Sequence, residues 1–315
     1  MKYIFGPVPS RRLGLSLGLD IIPFKYCSLD CVYCECGKTT VKTLERKPYV
    51  PADAVINELK EFLKKDIKFN YITFSGSGEP TLNSDIGKMI TQIREIVPAD
   101  KKIAVLTNGT LLHLKEVREE LKGADLVVPS LDAAIQNTFF KINRAPIELN
   151  IEKIIDGLIT FRKEFKGDIW LEIFFLKDIN DSPKDIEELI KAAAKIEPDK
   201  VQLNSIDRPP AEIWAKGLSK TEMETILSKF KKFGLPAEII TRFNSEQEEI
   251  TKEVKDAEKL ILDMIKRRPE TLKGLSEALN MHINNLNKIL SILENENKIE
   301  TTIVNNNTFY KIKEK

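Results

Sequence analysis

The four cysteines of this chain all fall within one short segment, Tyr26-Cys-Ser-Leu-Asp-Cys-Val-Tyr-Cys-Glu-Cys36. Cys27, Cys31 and Cys34 have the spacing C-x3-C-x2-C, with Tyr33 directly before the third. Three thiolates this close can each take one iron of a [4Fe–4S] cube, which leaves the fourth iron open to a small molecule. A structural zinc site pairs two C-x2-C units, or one such unit with H-x3-5-H. No second pair exists here, and the two histidines, His113 and His282, lie far from the motif and from each other. A disulfide framework needs dispersed cysteines and an oxidising compartment. A ferredoxin site needs a fourth ligand, and Cys36 follows Cys34 too closely to serve the same cube easily. The spacing favours three ligands and an open iron over zinc or a four-cysteine cluster.

A second segment, Tyr71-Ile-Thr-Phe-Ser-Gly-Ser-Gly-Glu-Pro-Thr-Leu82, begins apolar and β-branched and ends in glycines. It reads as a buried strand running into a turn. Gly76 and Gly78 alone signal only that turn. The composite Gly-x-Gly-Glu-Pro is more specific. An ammonium group needs acceptors, and glycine lets a backbone approach closely. Together the two motifs resemble those of radical S-adenosylmethionine (SAM) enzymes, with Gly76–Glu79 similar to their "GGEP" turn. The resemblance implies that Cys27, Cys31 and Cys34 bind the cube. Gly76, Ser77, Gly78 and Glu79 then hold the methionine end of SAM.

The elements that must position these motifs alternate. Candidate strands are 17–22, 71–74, 103–106, 126–129, 169–176 and 201–204. Amphipathic helical stretches are 52–64, 84–97, 113–121, 151–165, 182–196 and 219–233. Start signals precede several helices: Pro51, Asn83 with Ser84, Asn150, Ser182-Pro183, and Ser219 with Glu222 as a capping box. Such alternation predicts βαβ units and a parallel sheet. Periodicity alone fits a doubly wound sheet or an open barrel. Both motifs follow strand C-termini, where barrel sites assemble, and the resemblance implies a partial (β/α)6 TIM-type barrel over residues 1–245. Asn108, Ser130, Asp132 and Asn204 follow apolar runs and are candidates for SAM ribose, carboxylate or substrate contacts, with Asp132 nearest the sugar. Tyr33 is a candidate to lie against the adenine, or equally a core aromatic. Cys36 reads as a packed thiol or a hydrogen donor. Arg11, Arg12 and Arg144 read as anion ligands or as surface salt bridges.

Residues 246–315 change character. A charged helical segment over 246–268 carries Val254, Ala257, Ile261 and Ile265 on one stripe. A short helix follows over 271–279, then one over 282–297 with Ile283, Leu286, Ile289, Leu290 and Leu293 as its apolar face. An alternating hairpin spans 299–312. This order resembles a small winged helix-turn-helix domain. Over 257–315 there are ten Lys and Arg against eight acids, so phosphate-binding charge is thin. RNA or protein substrate docking is favoured over DNA binding, with a structural lid as an alternative.

The segments Phe5-Gly-Pro-Val-Pro-Ser-Arg-Arg-Leu-Gly14, Ile142-Asn-Arg-Ala-Pro146 and Asp207-Arg-Pro-Pro210 resemble a family of radical SAM Fe–S oxidoreductases distantly related to wyosine-forming tRNA enzymes. The likeness covers about residues 3–245. Wyosine-forming enzymes are expected to carry a second cysteine-bound cluster. Here every cysteine already sits in the first motif, so that reaction does not transfer. A ferredoxin or flavodoxin must supply the electron. SAM cleavage to a 5′-deoxyadenosyl radical, and hydrogen abstraction from a substrate, are the implied activity. Two further readings use the same chain: an Fe–S-sensing nucleic-acid regulator, and an activase that places a radical on a partner protein. With 49 Lys and Arg against 48 Asp and Glu, the charge does not favour a protein coated for non-specific nucleic-acid binding. No apolar run approaches the ~20 residues of a membrane span, the N-terminus is unlike a signal peptide, and a cytoplasmic location is expected.

Overall fold

The computed structural model describes residues 2–10, 12–65, 67–206, 210–241, 252–267, 269–279, 281, 283–304 and 307–313. Arg11, residues 207–209 of the Asp207-Arg-Pro-Pro210 signature, the 245/246 boundary and His282 lie outside them. Contacts divide the chain into two compact units, residues 6–241 and residues 1–5 with 242–315.

The larger unit is α/β. An eight-stranded sheet has the order β1 (Ile4–Ser10), β2 (Gly14–Leu19), β5 (Tyr71–Phe74), β6 (Lys102–Thr107), β7 (Leu126–Pro129), β8 (Asp168–Phe174), β9 (Lys200–Asn204) and β10 (Ala237–Ile239). From β2 to β10 every neighbouring pair is parallel. A two-residue pair, β3 (Tyr26–Cys27) and β4 (Val41–Lys42), brackets the cysteine segment. The helices are α1 (Ala52–Leu63), α2 (Ile86–Ile96), α3 (Lys115–Leu121), α4 (Gln136–Asn143), α5 (Ile151–Glu164), α6 (Pro183–Ile196) and α7 (Lys220–Lys232).

Side chains alternate across a strand, and here the alternation separates two environments. Leu17, Leu19, Ile72, Phe74, Ile103, Val105, Val127, Ile169, Leu171, Ile173, Val201 and Leu203 share one face and are fully buried. Parallel strands buried in this way read as near-continuous apolar runs. The other face differs along its length. Near the strand starts, Leu13, Ala104, Leu126 and Val128 form an apolar cluster, with Tyr71, Leu106 and Trp170 packed on it. Toward the strand ends it becomes polar, with Ser130, Glu172, Gln202 and Asn204 in adjacent registers. The C-terminal ends of one parallel sheet thus meet at a polar rim.

Helix starts follow local chemistry. Asn150 accepts from the Lys153 N–H, Ser182 from Asp185, and Ser219 with Glu222 forms the reciprocal capping box. Asn83 does not cap α2. It is buried, and its amide donates to the Ile21 and Val50 carbonyls while its Oδ1 accepts from Asp85 N–H. The helix therefore starts two residues later than Ser84. Strands β1 and β10 and helix α4 carry no strong period and are absent from the sequence expectation.

In the smaller unit, α8 (Lys252–Arg267), α9 (Leu272–Leu279) and α10 (Ile283–Asn295) accompany a three-stranded antiparallel sheet. Its order is β11 (Glu270–Thr271), β13 (Asn307–Ile312), β12 (Ile299–Val304). Ala257, Ile261, Ile265, Leu275, Leu286, Ile289, Leu290, Leu293 and Ile299 build its core.

Candidate cofactor site

The cysteine segment leaves the end of β2 and lies beside the glycine turn that leaves β5. Two backbone bonds join them, Lys25 N–H to Ser77 O at 3.0 Å and Glu79 N–H to Tyr26 O at 3.1 Å. Both glycines are required by this closeness. A Cβ on Gly78 would lie 2.0 Å from the Tyr26 carbonyl oxygen, and one on Gly76, at φ +151°, would lie 2.5 Å from Asp20 Oδ1. Ser77 Oγ donates to Asp20 Oδ2 at 2.7 Å.

Glu79 is buried and heavily bonded. Its Oε1 accepts from Thr81 N–H at 3.0 Å, Thr81 Oγ1 at 2.5 Å and Thr107 Oγ1 at 2.6 Å, and its Oε2 accepts from Asn108 N–H at 2.7 Å. Burial pushes its carboxyl above the ordinary value, and these four donors pull the other way.

The thiols are partly buried. Cys27 is pushed up to about 12 by burial and by the nearby Glu79 carboxylate. Cys31 also rises, through burial and Asp132. Cys34 falls to about 6 because Cys36 hydrogen-bonds to it and the Lys25 ammonium faces it, against the opposing cost of burial. Cys36 rises as the donor of that pair, and its Sγ lies 3.8 Å from the Gly76 carbonyl oxygen. Among the described residues no three His, Cys, Asp or Glu side chains converge as one metal ion would need. A cube asks for a different donor set, one thiolate per iron. Cys27, Cys31 and Cys34 fit that donor set: they lie close enough that Cys34 raises Cys27, and Cys27 and Cys34 raise Cys31, by charge.

Asp132, just after β7, is a second hub. Its Oδ2 accepts from Tyr33 Oη at 2.5 Å and Asn143 Nδ2 at 2.7 Å, and its Oδ1 from Phe174 N–H at 2.9 Å. Burial raises it to about 6, although these three donors oppose the shift. Tyr33 stacks on Phe174 with ring centroids 3.9 Å apart and 7° between planes, so one ring face is already covered. Asn108 donates to Ser28 Oγ at 2.8 Å and to Cys27 Sγ at 3.5 Å. Asn204 donates to Glu172 Oε1 at 3.0 Å, where Arg12 also pairs at 3.0 Å. Ser130 lies in register with Glu172 on this rim. Arg144 pairs instead with Asp30 and Glu212 on the outside of the cysteine loop.

Of the sequence-derived candidates, Gly76, Ser77, Gly78, Glu79, Asn108, Ser130, Asp132 and Asn204 therefore lie at or just after strand ends, whereas Cys31, Tyr33, Cys34 and Cys36 lie on the loop that follows β3, and Arg144 ends α4. Lys25, Asp20, Thr107 and Asn143 escaped the sequence reading. Asp20 carries the same signal as Asn108 and Asp132, a polar residue closing an apolar run. Asn143 sits inside the Ile142–Pro146 signature without an assigned role.

Residues 21–193 match the Radical SAM superfamily. The chain is 31% identical over 314 residues to UPF0026 protein MJ1312 of Methanocaldococcus jannaschii, covering 98% of this chain and 96% of that protein. It is 39% identical over 305 residues to a protein named GTPase Obg of Brachyspira hyodysenteriae, and spans 44% of that relative's length. Among solved structures, a radical SAM methyltransferase from Sphaerobacter thermophilus superposes with a TM-score of 0.56 at 16% identity, over 72% of this chain and 66% of that one. Streptococcus suis SuiB bound to S-adenosylmethionine gives 0.53 at 19%, over 72% and 50%. Both share the α/β fold. With a matched region that contains the cysteines, the glycine turn and Asp132, this chain belongs to the radical SAM superfamily, whose cofactors are a [4Fe–4S] cluster and S-adenosylmethionine, and is a relative of the UPF0026 proteins.

Proposed function

We propose that the chain is a radical SAM enzyme in which Cys27, Cys31 and Cys34 hold the cube, and in which residues 1–245 form a partial (β/α)6 barrel. One observation carries this: the three thiols sit on a loop stitched by backbone bonds to the Gly76–Glu79 turn. When bound, the cluster and SAM would supply one-electron reductive cleavage of SAM and hydrogen-atom abstraction from the substrate.

The residues' own work follows from their bonds. At Gly76 and Gly78 the turn carries no Cβ, so the backbone there can approach an ammonium closely. Glu79 fixes the turn to the end of β6. With three donors on Oε1, only Oε2 keeps room for a cation. Asp132 holds Tyr33 and Asn143, and Asn108 and Asn204 present polar atoms to the ribose, the carboxylate or the substrate. Ser130 offers a hydroxyl on the same rim. Cys36 is a spare thiol beside the turn.

Residues 246–315 act as a winged helix-turn-helix that docks an RNA or protein substrate. Helices α8 to α10 and the three-stranded antiparallel sheet support that reading. The electron comes from a ferredoxin or flavodoxin. No helix among the described residues is long and apolar enough to cross a membrane, and the proposed location is the cytoplasm.

The test is anaerobic. Protein reconstituted with iron and sulfide is given SAM and dithionite, and 5′-deoxyadenosine is measured by chromatography. Formation that is lost in Cys27→Ala, Cys31→Ala and Cys34→Ala but survives Cys36→Ala supports the assignment. A well-formed cluster that needs all four cysteines, or that leaves SAM intact, overturns it.

A further inference from the structure

Each cysteine assigned to iron meets one side-chain nitrogen donor, and the three donors come from three parts of the fold. Asn143 Nδ2, at the end of α4, lies 3.2 Å from Cys31 Sγ. Asn108 Nδ2, at the end of β6, lies 3.5 Å from Cys27 Sγ. Lys25 Nζ, on the cysteine loop itself, lies 3.4 Å from Cys34 Sγ.

The donors are held in place by other bonds. Asn108 Oδ1 accepts the Thr110 N–H at 3.1 Å, so its nitrogen is the atom that faces Cys27. Asn143 Nδ2 also donates to Asp132 Oδ2, which fixes that amide likewise. Its Oδ1 is buried with no partner, a cost the site accepts to point the nitrogen at sulfur. Lys25 is locked by its backbone. Its φ is 62°, its N–H bonds Ser77 O, and its carbonyl accepts from Thr40 and Val41. The residue is 3% exposed. A buried ammonium needs an anionic partner. Among the described residues no carboxylate lies within ion-pair reach of Nζ, and the partner that the geometry gives it is Cys34 Sγ, 3.4 Å away.

We propose that Lys25 is a positioning residue that sets the reduction potential of the cluster site. The inference rests on the reading that Cys27, Cys31 and Cys34 hold a cluster. An added electron increases the negative charge at the thiolates. A cation fixed beside them at low dielectric stabilises the reduced state more than the oxidised one. Asn108 and Asn143 act in the same direction as neutral dipoles, so their effect is smaller. No bond forms or breaks at Lys25. The electron comes from the external donor.

The test uses the full chain, reconstituted anaerobically, with the reduced cluster followed by electron paramagnetic resonance through a dye-mediated redox titration. Lys25→Arg keeps the charge and Lys25→Met removes it. The expected result is an Arg variant near wild type, a Met variant shifted to more negative potential, and a smaller negative shift for Asn143→Leu. A fully loaded Lys25→Met with the wild-type potential overturns the inference, and so do equal shifts in the Arg and Met variants. If Lys25→Met takes up no iron, Lys25→Gln is titrated by the same criteria. Loading of Arg alone among the variants supports the charge role, and failure of Arg together with the neutral variants overturns it. A wild-type chain that binds no iron sinks the cluster reading itself, whereas a loaded wild type with an unshifted Lys25→Met sinks only this inference.

Discussion

The Glu79 carboxylate accepts the backbone N–H of Asn108 at 2.7 Å, and so ties the turn after β5 to the end of β6. The same side chain gathers Thr81 and Thr107 on its other oxygen. One residue thereby joins the glycine turn to the strand end whose amide, Asn108 Nδ2, meets Cys27. Geometry at the cysteine loop and at the glycine turn is therefore coupled.

Glu79→Gln places an amide NH2 among four donors that need an acceptor. Leaving buried donors unpaired costs about 1–3 kcal/mol for neutral groups and more near a lost charge. The expected loss is about 2–4 kcal/mol in urea unfolding of the cluster-free chain. A loss below about 0.5 kcal/mol would mean that the backbone bonds alone hold the turn.

Gly78→Ala drives a methyl into the Tyr26 carbonyl oxygen, 2.0 Å from the new Cβ. The turn and the cysteine loop must separate. The expected outcome is a severalfold drop in iron retained after reconstitution, with far-ultraviolet circular dichroism largely unchanged. Ser77→Ala, which loses only the bond to Asp20, is expected to retain its iron at a stability cost of about 1 kcal/mol.

Asp132 gives a pH dependence of definite sign. Its folded pKa of about 6 lies above the ordinary carboxylate value. The folded state holds this proton more tightly than the unfolded chain. Its contribution is complete below about pH 4 and is lost as pH rises through 6. A shift of this size is worth roughly 2–3 kcal/mol. Compared with Asp132→Asn, the wild-type chain should therefore lose stability between pH 4 and pH 7.5. Parallel melting curves for the two across that range check it, and a flat difference would falsify the assignment.

Tyr33→Phe removes the donor to Asp132 and keeps the ring stack on Phe174. A hydrogen bond to an ionised carboxylate is stronger than one to its acid. The expected cost is about 1–2 kcal/mol at pH 8 and less at pH 5. Tyr33→Leu gives up the stack as well, adding about 0.5–1.5 kcal/mol at both values. Thermal unfolding at the two pH values separates these contributions.

Much of this was present in the chain order. Cysteine spacing, the Gly-x-Gly-Glu-Pro run and the apolar strands are local patterns, and they were enough to expect a parallel α/β unit with its polar groups at strand ends. Capping at Asn150, Ser182 and Ser219 was legible for the same reason, because a cap bonds within three residues. What the tertiary structure decided is which polar atoms are already committed. Glu79, Asp132 and Asn204 look alike in sequence, as acceptors or amides after a strand. Only the packing of β5 on β6, and of the cysteine loop on α4, shows Glu79 filled on one oxygen and Asp132 engaged by Tyr33 and Asn143. Lys25 lies two residues before Cys27 in the chain, yet its ammonium reaches Cys34 because a left-handed backbone turns it inward. Bonds between residues far apart in the chain, or across a reversal of its direction, depend on the closed fold, and no local pattern encodes them.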